Sequence, residues 1–95
     1  MIPDNQAVVN RLTRQQRLVW QRLSHAAPEA VTPGGAVKTD WLARAWGDLL
    51  PGSRILVYVT IHAMNKRLAP VGVRIEGRHP TQGGGYQVVV EANHA

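Results

Sequence analysis

The clearest pattern of apolar and polar positions along the chain lies in residues 55–68, ILVYVTIHAMNKRL. Its first half is rich in strand formers, whereas its second half consists of good helix formers. A period of two puts Ile55 and Ile61 on one face with the valines between them, but that pattern stops at His62. Periodicity of the strand type therefore covers only half of the segment.

A helical period fits the whole segment. Four apolar residues fall at positions i, i+4, i+7 and i+11 of one helical face, namely Val57, Ile61, Met64 and Leu68. No glycine or proline interrupts residues 53–69, and Ser53 stands where an N-cap is needed. The pattern predicts one helix from about Ser53 to Leu68, with these four side chains buried.

An earlier helix is indicated by Thr13 and Gln16, which have the spacing of a capping box. Apolar residues recur behind it at helical spacing, and Pro28 predicts its end. A start near Asp4 is the alternative. A further helix is predicted over TDWLARAWG, opened by Thr39 as N-cap or by Lys38, and ended by Gly47 in a left-handed conformation.

After Pro70 the apolar period changes to two on both sides of GRHPTQGGG. This change predicts a β-hairpin from Val73 to Val90 with a polar tip at about residues 77–85. Tyr86 shares a side with Val88 and Val90, so its ring is expected to pack inward. The expected fold class is α+β, a winged helix-turn-helix with three helices followed by a hairpin wing.

Composition indicates a kind of partner, which the patterns alone do not give. The chain has 11 Lys and Arg against 6 Asp and Glu, a formal net charge of +5. Such a balance favours an anionic partner, most commonly nucleic acid. No apolar run approaches the roughly 20 residues of a membrane span, and neither a signal peptide nor cysteine is present, so we expect a cytoplasmic protein without a membrane partner.

The ordered motifs resemble one family of winged helices. LTRQQRLVWQRL, LARAWG, VYVTIHAMNKRL and GGGYQVV are similar, in that order, to motifs of the OmpR/PhoB-type DNA-binding domain, and they cover roughly residues 11–90. The resemblance implies a sequence-specific double-stranded DNA-binding protein that acts as a transcriptional regulator. We expect a single domain over residues 1–95, with an arm at 1–11, a core at 12–90 and a tail at 91–95.

The chain departs from the family in several respects, among them a longer loop before the second helix, Thr32 to Lys38. Family members usually carry a receiver domain ahead of this module, whereas only eleven residues precede Leu12 here. We therefore expect a stand-alone form without phosphorylation control. The recognition helix has His62, Ala63 and Asn65 where arginine is frequent, and Gln82 stands near the usual wing arginine. In the family the loop that corresponds to DLLPGS contacts RNA polymerase, although one of its leucines can simply join the core.

The resemblance places the outer side of the third helix in the major groove. There Asn65 can pair with an adenine edge and Val59 can meet a thymine methyl group. Lysine, arginine and tyrosine side chains would hold phosphates, and the hairpin tip would lie on the flanking groove. The predicted DNA-binding residues are Arg54, Tyr58, Val59, His62, Ala63, Asn65, Lys66, Arg67, Arg78 and Gln82.

The same outer side supports an alternative. Ile55, Val59 and Ala63 are apolar, as in a helix that binds protein, so the alternative is a winged-helix adaptor for RNA polymerase or another transcription regulator. Binding as a homodimer or in tandem on DNA is left open. The four histidines have no metal-ligand spacing and no catalytic grouping is visible, so we expect neither an enzyme nor a cofactor.

Overall fold

The computed structural model describes residues 5–48 and 51–91 and shows an α+β fold. Its helices are α1 Asn5–Val9, α2 Arg14–Ser24, α3 Thr39–Ala43 and α4 Ser53–Leu68. Its strands are β1 Val73–Gly77 and β2 Tyr86–Val90, which pair antiparallel as a hairpin. This layout is compatible with a winged helix. Leu49 and Leu50, in the loop predicted to contact RNA polymerase or the core, lie outside the described residues.

Helix α4 confirms the prediction of one continuous helix. Val57, Met64 and Leu68 are fully buried, and Ile61 is 3 % exposed. The residue before the helix is Gly52, whose φ of +87° sets the entry angle, so Ser53 is the first helical residue and not the N-cap. Tertiary burial of this stripe outweighs the weak helix propensity of its β-branched residues.

Helix α2 begins with the predicted capping box. The Thr13 hydroxyl accepts a hydrogen bond from the Gln16 backbone N–H, and the Gln16 side chain accepts one from the Thr13 N–H. The helix ends at Ser24, earlier than Pro28 indicates. It does not extend back to Asp4, because the chain turns between α1 and Thr13.

Helix α1 lies in the segment that was expected to be an arm. Its Val8 is fully buried, and the Asn5 side-chain oxygen accepts a 2.8 Å hydrogen bond from the indole N–H of Trp20. The core therefore begins earlier in the chain than the apolar pattern indicates.

Helix α3 is shorter than predicted and is capped differently. Lys38 occupies the N-cap position and no side chain caps the helix, so the expectation for Thr39 is wrong. The chain tightens into a 3-10 turn at Arg44–Trp46 before Gly47, which has φ +120° and ψ −143°. This positive φ suits glycine but lies outside the left-handed helical region that we expected.

One residue of the loop before α3 pairs with the hairpin. Val37 forms a bridge with Tyr86, in which each backbone N–H donates to the other carbonyl at 2.7 and 2.8 Å. Gly85 makes this close approach feasible, because a Cβ atom there would lie 2.4 Å from the Val37 oxygen. Val37 therefore extends the two-stranded sheet by a single bridging residue on its β2 side.

Candidate nucleic-acid interface

The outer side of α4 carries a stripe with the same spacing as its buried stripe. We call Ile55, Val59, His62 and Lys66 the outer stripe; all four are exposed, and Ile55 and Val59 are 70 % and 56 % exposed. Tyr58 and Leu56 flank it and are 64 % and 48 % exposed. A helix of 16 residues thus presents an accessible face that is apolar at its start and basic at its end.

Asn65 lies on the edge of this face, beside the hairpin. Its side-chain N–H donates to the Ile75 carbonyl at 3.0 Å, and its side-chain oxygen accepts the Ile75 N–H at 2.8 Å. The amide therefore pairs with the edge of β1 as a neighbouring strand would. The adenine contact stays a prediction, and it would require Asn65 to give up these bonds.

Arg54 is held at the start of α4 by helix α3. Its guanidinium forms two hydrogen bonds to the Asp40 carboxylate, at 2.6 and 3.1 Å. The bonds from Arg54 lower the pKa of Asp40, and Asp40 in turn raises the pKa of Arg54. Because both side chains are more than half exposed, solvent weakens the pair, but a phosphate would still compete with a carboxylate already in place.

A shallow cleft separates the outer side of α4 from the hairpin. Its volume is about 170 Å³, and its lining includes Tyr58, His62 and Tyr86. Tyr86 packs partly buried against the core, as its position in the strand predicted. Burial raises the pKa of Tyr86, and Tyr58 adds to the shift. The phenol of Tyr86 therefore stays neutral near pH 7, and both tyrosines carry a hydroxyl group that can bond a ligand.

The hairpin carries less free charge than its sequence suggests. Arg78 donates to Glu76 at 3.2 Å and also bonds the Gln87 side chain, while Arg74 pairs with Glu76 and Glu91. Two arginines thus face two carboxylates. Arg78 therefore supports the hairpin with a charge that Glu76 offsets.

The tip of the hairpin is a short 3-10 turn, Pro80–Gln82. The His79 ring nitrogen accepts the Thr81 backbone N–H at 3.2 Å, which caps the turn. The prediction for the Gln82 side chain lies outside what the structure describes.

The end of α4 carries charge without a matching carboxylate. Lys66 and Arg67 are exposed there, and within residues 5–48 and 51–91 no carboxylate forms an ion pair with either. Arg67 instead donates to the backbone carbonyl of Arg11 at 3.4 Å. Ala63, between these cations and the apolar start of the face, is half-buried.

The structure thus separates the predicted residues into groups. Tyr58, Val59, His62 and Lys66 share the accessible face, whereas Arg54 and Arg78 are paired with acids and Asn65 is tied to β1. Arg11 was not predicted, since its proximity to Arg67 joins positions 56 residues apart in the chain.

Comparison of the chain with protein-family models, with curated proteins and with solved structures gave no match in any of the three. The resemblance to the OmpR/PhoB-type domain therefore stays a prediction. Over the described ranges, no group of three or more metal-binding side chains is assembled, and no helix combines the length and hydropathy needed to cross a membrane.

Proposed function

We propose that this protein binds double-stranded DNA in a sequence-specific manner and acts as a transcriptional regulator of the winged-helix type. Helix α4 would enter the major groove, and the hairpin tip at about residues 77–85 would lie along the flanking groove. The observation that carries the proposal is the exposed outer stripe of α4, at whose end Lys66 and Arg67 form no ion pair with a carboxylate of the described residues.

The role of each side chain in this interface follows from the apolar surface, hydrogen-bonding groups or charge that the fold leaves accessible. Val59 can contact a thymine methyl group, and His62 can donate or accept a hydrogen bond at a base edge. Lys66 and Arg67 would neutralise phosphates, and the Tyr58 hydroxyl can donate to one. Asn65, through β1, would fix the hairpin relative to α4 and so act as a positioning residue.

Duplex binding at several salt concentrations tests this proposal. A preferred site should first be selected from a random duplex pool, and its affinity should then fall steeply as salt rises. Lys66→Ala should weaken binding to preferred and scrambled duplexes alike, whereas His62→Ala should weaken the preferred one more. Arg44→Ala, which removes an exposed charge directly after α3, is the matched control. Salt-independent or undetectable binding by the wild-type protein would exclude the function.

The apolar start of α4 favours a second candidate function, an adaptor that binds RNA polymerase or another transcription regulator. Ile55, Leu56, Tyr58 and Val59 form an apolar patch in which every side chain is between 48 % and 70 % exposed. Exposed apolar side chains grouped in this way mark protein-binding surfaces. If the protein is such an adaptor, the wild-type protein should form a stable complex with purified RNA polymerase and bind duplex DNA only weakly. Val59→Glu should then abolish the complex with the polymerase.

A further inference from the structure

The arginines of this chain differ in what balances their charge. Within the described ranges, Arg54, Arg74 and Arg78 form ion pairs with carboxylates. Arg22 packs over the Trp41 ring at 3.8 Å and donates to its carbonyl. These four arginines are therefore occupied in holding elements of the fold together.

A second set of cations meets where the turn after α1 approaches the end of α4. Arg67 donates to the Arg11 carbonyl at 3.4 Å, and Arg17 donates to the Val9 carbonyl at 3.0 Å. The accepting residues are two apart, so their Cα atoms lie within about 7.6 Å. With Lys66, these side chains form what we call the basic cluster: Arg11, Arg17, Lys66 and Arg67.

The cluster borders a concave surface rather than a flat one. Arg11, Lys66 and Arg67 line a depression of about 370 Å³ together with Asn10 and Pro70. No ion pair to any member appears among residues 5–48 and 51–91, and the first turn of α2 carries no acidic residue. Positive charge therefore accumulates here with no carboxylate of the described residues paired to it.

The hydrogen bonds within the cluster leave its binding capacity largely unused. A guanidinium has five N–H donors, and the bonds to Val9 and Arg11 engage neutral carbonyls through one nitrogen of each arginine. They fix where the guanidinium groups lie without neutralising them. Planar N–H donors of this kind suit phosphate oxygens, which accept charge-assisted bonds.

We propose that the basic cluster binds the phosphodiester backbone of duplex DNA beyond the groove occupied by α4, so that α1 and the following turn belong to the interface. This rests on the proposed function, because Lys66 lies both in the cluster and on the outer stripe. Arg11 is the residue that the interface gains, since its carbonyl fixes Arg67 and its exposed side chain lines the same depression as Lys66 and Arg67.

The test compares Arg11→Ala with Arg44→Ala, which removes an equal charge outside the cluster. Kd for the selected duplex is measured between 50 and 200 mM salt. Loss of one phosphate contact flattens the logarithmic salt slope by about 0.9, which reduces the affinity lost over that range by about 3.5-fold. We expect this change for Arg11→Ala, a wild-type slope for Arg44→Ala, and a retained slope for Arg11→Lys.

The outcomes separate this inference from the proposed function. If the wild-type protein binds duplex and Arg11→Ala keeps its slope, the cluster assignment is overturned while DNA binding stands. Equal flattening by Arg11→Ala and Arg44→Ala would mean that only net charge matters, which also overturns the assignment. A wild-type protein that binds no duplex overturns both. Matching unfolding midpoints of the variants establish that the fold is retained.

Discussion

Replacing Asn65 by alanine should destabilise the protein because it removes the tie between α4 and β1. The amide makes two part-buried hydrogen bonds to the Ile75 backbone, at 3.0 and 2.8 Å. Each such bond contributes about 0.5–1.5 kcal/mol net, so the free energy of unfolding should fall by about 1–3 kcal/mol. Water can reach a part-buried site, which keeps the loss below that of a fully buried donor and acceptor.

Urea denaturation followed by circular dichroism measures this loss, with His62→Ala as the control. Histidine and asparagine have similar helix propensities, so both variants gain about the same from alanine. His62 is exposed, and its substitution should change stability by no more than about 0.5 kcal/mol. Equal unfolding free energies for the two variants would refute the tie. Faster amide hydrogen exchange at Ile75 in Asn65→Ala alone would support it.

Three further changes test the packing, the bridge and the surface ion pair. Truncating buried Ile61 to alanine should reduce the free energy of unfolding by about 2–5 kcal/mol, as measured in urea. Gly85→Ala should destabilise more than Gly84→Ala, since both have positive φ but only a Cβ at Gly85 would lie 2.4 Å from a backbone oxygen; similar melting temperatures would contradict this. The pKa of Asp40 is lowered in the folded protein, so its ion pair stabilises the fold above the unfolded pKa of about 3.9 and is lost as pH falls through the folded value. An NMR titration of the Asp40 carboxyl should show its pKa rising in Arg54→Ala, and no change would contradict the pairing.

Sequence periodicity was sufficient for elements in which many residues repeat one pattern. Helix α4 and strand β1 are of this kind, because every third and fourth residue of α4 and the first and third residues of β1 are buried. Strand β2 does not alternate in burial: Tyr86 to Val89 are all part-buried, and Val90, expected on the inward side, is exposed. The capping box of α2 was equally predictable, because Thr13 and Gln16 lie only three residues apart in the sequence. The apolar pattern therefore predicts these elements, although in α4 burial of the stripe, and not local propensity, stabilises the helix.

The elements that were not anticipated depend on single contacts between distant residues. Helix α1 has only five residues, and the Trp20 indole that contacts it lies on α2. The bridge between Val37 and Tyr86 involves only Val37 from the loop before α3, and a single residue shows no periodicity in the sequence. The pairing of Arg54 was hidden for the same reason, because Asp40 lies 14 residues away in the chain. The partner of Arg78 is different: Glu76 lies only two residues away, so the sequence already contained that pair.

The two equally spaced stripes of α4 also bear on how the chain selects one rotation of that helix. The buried and outer stripes are displaced by two residues, and both start with β-branched apolar side chains. Rotating α4 by about half a turn would bring Ile55 and Val59 into the core, with little loss of apolar burial in the first half. It would also bury Lys66 without a partner, which is far less favourable than burying Leu68. The end of the helix thus decides the orientation of its beginning, and during folding Lys66 excludes an alternative packing that the residues before it would tolerate.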